Sequence, residues 1–342
     1  MTDAPARRIC VICNEGSGRN SREAQAIQVA MEVLGPGAVL RQVRGEDLDD
    51  AAREAVAQDF DTVVAAGGDG TIMTVAGQVM DTGRRFGVLP MGTFNYFARG
   101  LGIPEDPKGA AEVILGGTTR KVSLAEVNGQ VFLNNISLGI YPAILRTRED
   151  VYARWGRRRM AAHWSAAKTF LQFQRPLFLT LRADEEEHRV RTPLLFVARS
   201  AYQIESFGLA GADCVAKGKF AVYVAPDTSR AGMFAKAFKL VRGTMAEGQD
   251  FDLVCAEEVT IATRSRHLTV ACDGEKIRMR TPLRLRLHPD ALEVFAPPEA
   301  AEATGAAAAA KEPSAPSVTM IGSFGASPWI SEANYASSGI WI

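Results

Sequence analysis

Through its first 120 residues the chain alternates short apolar runs with longer stretches whose apolar positions recur at helical spacing. The runs at 8–14, 38–44, 60–66 and 86–90 are of strand length, and that at 60–66 is rich in β-branched residues. Residues 46–58, 72–80 and 107–115 carry the amphipathic period, and the last of these ends at Gly116-Gly117. After the first strand, Asn20 is placed to cap a further helix with Glu23 at its third position. Strand followed by helix, repeated, predicts an α/β unit: a doubly wound, Rossmann-like parallel sheet of about 120 residues.

The pattern then changes. Residues 120–127 and 131–138 flank Asn128-Gly129, the strongest short hairpin signal. Further strands are predicted near 177–182, 194–197, 220–224, 258–262, 268–272 and 283–287, with no crossover helix between most neighbours. A second, mainly antiparallel β-sandwich follows. The division expected is 1–122 for the nucleotide-binding α/β domain, 123–289 for a β-rich substrate domain and 298–342 for a tail. That tail is Ala-rich, then Pro-, Ser- and Gly-rich, and aperiodic, which predicts a flexible extension. Trp329, Tyr335 and Trp341 are unusual in such a segment.

Composition narrows the classes of partner. With 39 basic and 39 acidic residues the chain has no global field drawing it to nucleic acid or an anionic bilayer, so any such contact is local. The N-terminus lacks a secretion signal pattern, and no stretch of about 18 apolar residues spans a bilayer. A cytoplasmic protein is expected. Five cysteines, odd in number and mostly in apolar runs, predict reduced buried thiols. Cys10 and Cys13 have redox or zinc spacing, but no second pair follows, and residues three apart on a strand face opposite sides. The four histidines have no partner spacing.

The chemistry is concentrated where strands meet helices. The run at 60–66 breaks into Gly67-Gly68-Asp69-Gly70-Thr71, followed by Ile72 and Met73 at the start of the next helical stretch. Residues lacking Cβ let the backbone approach a ligand, and the first amides of a helix point free N–H groups at an anion. Asp69 would repel a phosphate held there unless a divalent cation lies between them. Gly92-Thr93 and Asn95 form a second such turn after the strand at 86–90, and Asn14, Gly16, Ser17 and Gly18 a third after the first strand. Neighbouring turns at the carboxyl ends of parallel strands are where open α/β sheets bind ligands.

GGDGT, followed about twenty residues later by PMGTFNYFAR, resembles the diacylglycerol kinase catalytic-domain family, bacterial lipid kinases of the larger group that also holds sphingosine and NAD kinases. The resemblance extends over most of residues 8–297. It implies ATP and Mg²⁺, with Asp69 near the metal, and a return of 290–297 to the first domain. It also assigns Glu275 of Cys272-Asp273-Gly274-Glu275 as the base that takes the proton of the acceptor hydroxyl; read alone, that tetrapeptide is an Asp-Gly turn with a solvated acid. Phosphoryl transfer needs little more than alignment and charge neutralisation, which these parts supply. Asp273 is expected to hold the turn.

Two positions depart from the family. The second turn usually ends Asn-Asp and here reads Asn95-Tyr96. Lys217 stands where many members have an Asp that holds a structural Mg²⁺, which puts that metal in doubt; its ammonium is expected to satisfy the same acceptors. The segment 146–175 is basic, with Arg154, Arg157, Arg158 and Arg159 followed by Trp164, Phe170 and Phe173. It reads either as a solvated helix with an apolar face or as a peripheral, lipid-facing entrance at the inner face of a membrane. The function expected is an ATP-dependent lipid kinase acting on a membrane lipid such as diacylglycerol. The alternatives are an NAD kinase-like enzyme and a nucleotide- or lipid-binding regulator with little turnover. No nucleic-acid partner is expected, and a homodimer is left open.

Overall fold

The computed structural model describes residues 8–15, 21–139, 176–229, 232, 235, 236, 239 and 244–298. The first part runs β1 (Ile9–Asn14), α1 (Ser21–Leu34), β2 (Ala38–Val43), α2 (Leu48–Ala57), β3 (Thr62–Gly67), α3 (Asp69–Val79), β4 (Arg85–Pro90), α4 (Tyr96–Gly100) and α5 (Pro107–Gly116). Strands β2, β1, β3 and β4 lie side by side in that order, all parallel. Their crossover helices cover the sheet and leave β3 buried along its whole length, the doubly wound arrangement expected. Helix α5 begins on Asp106, whose carboxylate accepts from Gly109 N, with Pro107 at its first position.

The second part adds β5 (Thr119–Val127), β6 (Gln130–Phe132), β7 (Asn135–Gly139), β8 (Leu177–Ala183), β9 (Glu186–Thr192) and β10 (Leu194–Ala198). Two short helices follow, α6 (Ala201–Ser206) and α7 (Ala212–Ala216), then β11 (Phe220–Val224), β12 (Asp252–Ala256), β13 (Val259–Ala262), β14 (His267–Cys272), β15 (Glu275–Arg280) and β16 (Leu283–Phe295). Strands β12, β11, β10, β7, β14 and β15 form an antiparallel sheet of their own. It packs against the antiparallel part of the first sheet, as Phe132 of β6 and Phe220 of β11 show by stacking with ring centroids 6.1 Å apart. The fold is thus a parallel α/β sheet joined to an antiparallel sandwich.

Strand β16 links the two parts. Its beginning pairs antiparallel with β13, while its end pairs parallel with β4 through Glu293 and Val294. Residues 122 and 123 lie inside β5, which pairs antiparallel with β16 along most of its length.

Several expectations change. The hairpin at Asn128-Gly129 forms, with both residues at positive φ, but its second arm stops at Phe132 rather than running to 138. The chain crosses to the other sheet there, because the amides of Leu133, Asn134 and Asn135 turn to a carboxylate instead of a neighbouring strand. The cysteines are not all reduced: Cys214 of α7 and Cys255 of β12 form a disulfide, their Cα atoms 5.5 Å apart, within bridging range. A separation of 41 residues gives such a pair no spacing signal. Cys10, Cys13 and Cys272 are free and buried. Among the described residues no helix is long and apolar enough to cross a membrane.

Candidate active site

The glycine turn after β3 closes sooner than its sequence implies. Gly68 is the N-cap of α3, so Asp69, Gly70 and Thr71 already belong to the helix's first turn. Their amides precede the first intrahelical bond and point out of the helix end. Ile72 N–H, by contrast, donates to Gly68 O at 3.0 Å. The side chains of Ile72 and Met73 are buried.

The turn after β4 leans directly on this one. Strands β3 and β4 are in parallel register with Gly67 opposite Pro90, and Met91 N–H donates to Gly67 O at 2.8 Å. A Cβ on Gly92 would lie 2.7 Å from Gly68 Cα and 2.7 Å from Asn95 Oδ1. The two backbones touch only because neither residue has a side chain. Asn95, in the left-handed region at φ 49°, locks the second turn. Its Oδ1 accepts from Gly92 N–H at 2.9 Å, and its Nδ2 donates to Gly92 O and to Glu105 Oε1. Bonds from Asn95 and then Arg99 hold the Glu105 carboxyl below the usual carboxylate range. Glu105 belongs to no motif; its bonds to Asn95 and Arg99 mark its role.

Asp69 bridges the turns. Its carboxylate accepts from the amides of Tyr96 and Phe97 at 3.3 and 3.2 Å, at the start of α4. Tyr96, the residue in place of the family acid, therefore serves Asp69 through its backbone. Its ring stacks on Phe94 with centroids 5.5 Å apart and meets Phe207 edge-on.

Across the crevice, Asp273 and Gly274 form the two-residue turn between β14 and β15, both at positive φ. Both oxygens of Asp273 are engaged, by Leu133 N–H at 2.6 Å and by the amides of Asn134 and Asn135 at 2.8 Å each. Desolvation outweighs these bonds and, with some repulsion from Asp69, raises its pKa to about 6. Asp273 thus fastens the acidic hairpin to the chain crossing between sheets. Glu275 is left exposed, and its Oε1 stands 2.6 Å from where a Gly70 Cβ would be.

Of the remaining candidates, Asn14 ends β1, its Nδ2 3.4 Å from the position of a Cβ on Gly45, and Thr93 is exposed beside Phe94. Gly16, Ser17, Gly18 and Asn20, and the basic segment with Arg154 and Arg157 to its aromatics, lie outside the described residues. Lys217 does not fill a cation's place: it is 72% exposed and 3.7 Å from Asp213, one helical turn away. Among the described residues, Lys236 and Lys239 instead close on a buried carboxylate, that of Asp250. Among the described residues no cluster of three His, Cys, Asp or Glu side chains could hold a metal.

Residues 8–127 match the family model described as diacylglycerol kinase catalytic domain, and residues 136–296 match that of the YegS C-terminal NAD kinase beta sandwich-like domain. Residues 8–127 thus form a diacylglycerol kinase catalytic domain. A Bacillus subtilis (strain 168) protein named diacylglycerol kinase is 38% identical over 37% of this chain and 44% of its own length. A Staphylococcus aureus (strain MRSA252) protein of the same name is 33% identical over 37% and 42%. The chain therefore matches less than half the length of these curated relatives. A solved Bacillus anthracis str. Sterne structure of a candidate diacylglycerol kinase aligns at TM-score 0.66 with 19% identity, covering 85% of this chain and 98% of that one. At that identity the likeness is one of fold.

Proposed function

We propose that the protein is an ATP-dependent lipid kinase that transfers the γ-phosphate to a hydroxyl of a membrane lipid such as diacylglycerol. The observation that carries this reading is the convergence of two distant motifs, since Glu275 stands against Gly70 at the mouth of the first glycine turn. The amides of Asp69, Gly70 and Thr71 and the second turn at Gly92 and Thr93 are arranged to receive an anionic chain. Glu275, whose side chain is exposed and has no hydrogen bond to a described residue, is free to take the proton of an incoming hydroxyl. Asp69 is held by amides on one side and open to a cation on the other. Mg²⁺ bound to the triphosphate would neutralise the charge that Asp69 otherwise repels. Asp273 positions Glu275 by pinning the hairpin and does not itself reach the acceptor. Contact with the membrane through the arginines at 154 and 157–159 belongs to the same proposal.

The test is labelled ATP with a total lipid extract, products resolved by chromatography and identified by mass spectrometry. A labelled lipid is expected. NADP formation instead, or a nucleotide-induced thermal shift with no labelled product, would replace the lipid-kinase reading with the NAD kinase-like or the regulator one.

A further inference from the structure

Beside the two aspartates lies a cavity of about 210 Å³ that the reading above leaves without an occupant. Tyr96 and Phe97 form one wall, Leu124 and Leu133 another, and Arg199 and Tyr202 a third. Two of these walls are the segments that hold the acids, since Tyr96 and Phe97 donate to Asp69 and Leu133 donates to Asp273.

The lining is mostly apolar, and Arg199 is its one charged side chain. Half-buried, this guanidinium makes a long Nη1 bond of 3.4 Å to Val215 O, while its Nε is buried with no partner. Among the described residues no carboxylate pairs with it. Burial lowers its pKa, as expected for a cation withdrawn from water. Asn134, also in the lining, is 2% exposed with its Oδ1 unpartnered. Unmet polar groups of this kind are costly where they are buried, and pockets fix their ligands through a few such placed polar side chains. The volume is below the roughly 300–1,000 Å³ of pockets that enclose a whole drug-sized ligand, so a headgroup fits and long chains stay outside.

We propose, resting on the lipid-kinase reading, that this cavity seats the polar end of the acceptor. An ester carbonyl or phosphate oxygen next to the reactive hydroxyl accepts a hydrogen bond from Arg199. Arg199 is then a specificity-determining residue that selects lipids with such an oxygen.

The experiment compares kcat/KM for 1,2-dioctanoylglycerol, its 1,2-dioctyl ether analogue, which lacks the carbonyls, and phosphatidylglycerol, in mixed micelles with labelled ATP. For the wild type, the ester is expected to exceed the ether roughly ten- to hundredfold, the range of a hydrogen bond to a charged group. Arg199→Met should bring ester and ether level with KM for ATP unchanged, and Arg199→Lys should restore part of the difference. Phosphatidylglycerol exceeding both glycerols tenfold assigns the oxygen to a phosphate. Ala201→Phe, which fills the cavity but keeps the Arg199 guanidinium, should raise KM for the lipid alone. Equal rates with all three lipids overturn the proposal, as does an Arg199→Met protein that melts earlier but keeps the wild-type ester preference, because the arginine then only caps α7. If no lipid is labelled, the kinase reading has failed and calorimetry decides the cavity. Dihexanoylglycerol binding that is lost in Arg199→Met upholds the site, and binding that is absent or equal in both proteins rejects it.

Discussion

Gly70 and Glu275, 205 positions apart in sequence, face each other so closely that a Cβ on the first would lie 2.6 Å from Oε1 of the second. The glycine keeps the helix entrance open for the acid. Gly70→Ala should displace the Glu275 carboxylate, which can swing away because it is the exposed end of a flexible side chain. Alanine is also the better helix former, by about 1 kcal/mol. Turnover is therefore expected to fall at least tenfold while the melting temperature holds or rises. A variant with full activity would show that Glu275 need not occupy this place.

Glu275→Gln removes the proton acceptor and preserves the shape of the side chain. A general base contributes roughly 10²- to 10⁴-fold to rate, so phosphoryl transfer should drop by that factor with ATP affinity unchanged. Rapid-quench kinetics together with nucleotide calorimetry checks both halves. Normal turnover in this variant removes Glu275 from the chemistry.

Asp273 gives the site a pH dependence of definite sign. Its carboxyl pKa is raised from 3.8 to about 6, chiefly by desolvation, so the native state holds this proton more tightly than the unfolded chain does. The resulting stability is fully present below about pH 4 and is lost as pH rises to about 6, a change on the order of 2–3 kcal/mol. Asp273→Asn should flatten that slope. It should also cost about 1–3 kcal/mol at neutral pH, because an amide cannot accept from Leu133, Asn134 and Asn135 together. Asp69→Asn should lower the Asp273 pKa by removing a like charge. Carbon-13 NMR of the carboxyl and denaturation across pH 4–7 measure these effects, and an Asp273 that titrates near 4 would refute the argument.

The parallel half of the fold was legible because each strand-helix junction carries its own local signal: an apolar run, glycines, then an amphipathic period. The strand at 60–66 and the glycines after it needed no tertiary information. The sandwich was less so. Strands β9 and β15 carry charge at most positions, as Glu186, Arg189, Arg191, Lys276 and Arg278 show, and have no apolar strand signal of their own, because their partners, not their composition, make them strands. The short second arm of the Asn128-Gly129 hairpin, the Cys214–Cys255 bridge and the Asn95–Glu105 bond all depend on residues that only the folded chain brings together. Within the candidate site, Asp69, Asn95 and Asp273 could be named from sequence, but not that Asp69 is held by the amides of Tyr96 and Phe97 and Asp273 by those of Leu133, Asn134 and Asn135.

Lys217 illustrates how far a single substitution against the family pattern reaches. Its ammonium and the Asp213 carboxylate are both about 70% exposed at 3.7 Å, where solvent reduces an ion pair to little. Lys217→Ala should change stability by no more than about 0.5 kcal/mol and leave turnover unaltered. Lys217→Asp, by contrast, removes a positive charge and sets a second carboxylate one turn from Asp213, at the position where the family resemblance places, in many members, an Asp that helps hold a structural cation. If the surrounding backbone retains that cage, millimolar Mg²⁺ will raise the melting temperature of the Asp variant and leave the wild type unmoved. The same Mg²⁺ shift in both proteins would instead mean that the wild type binds the cation without an acid at 217.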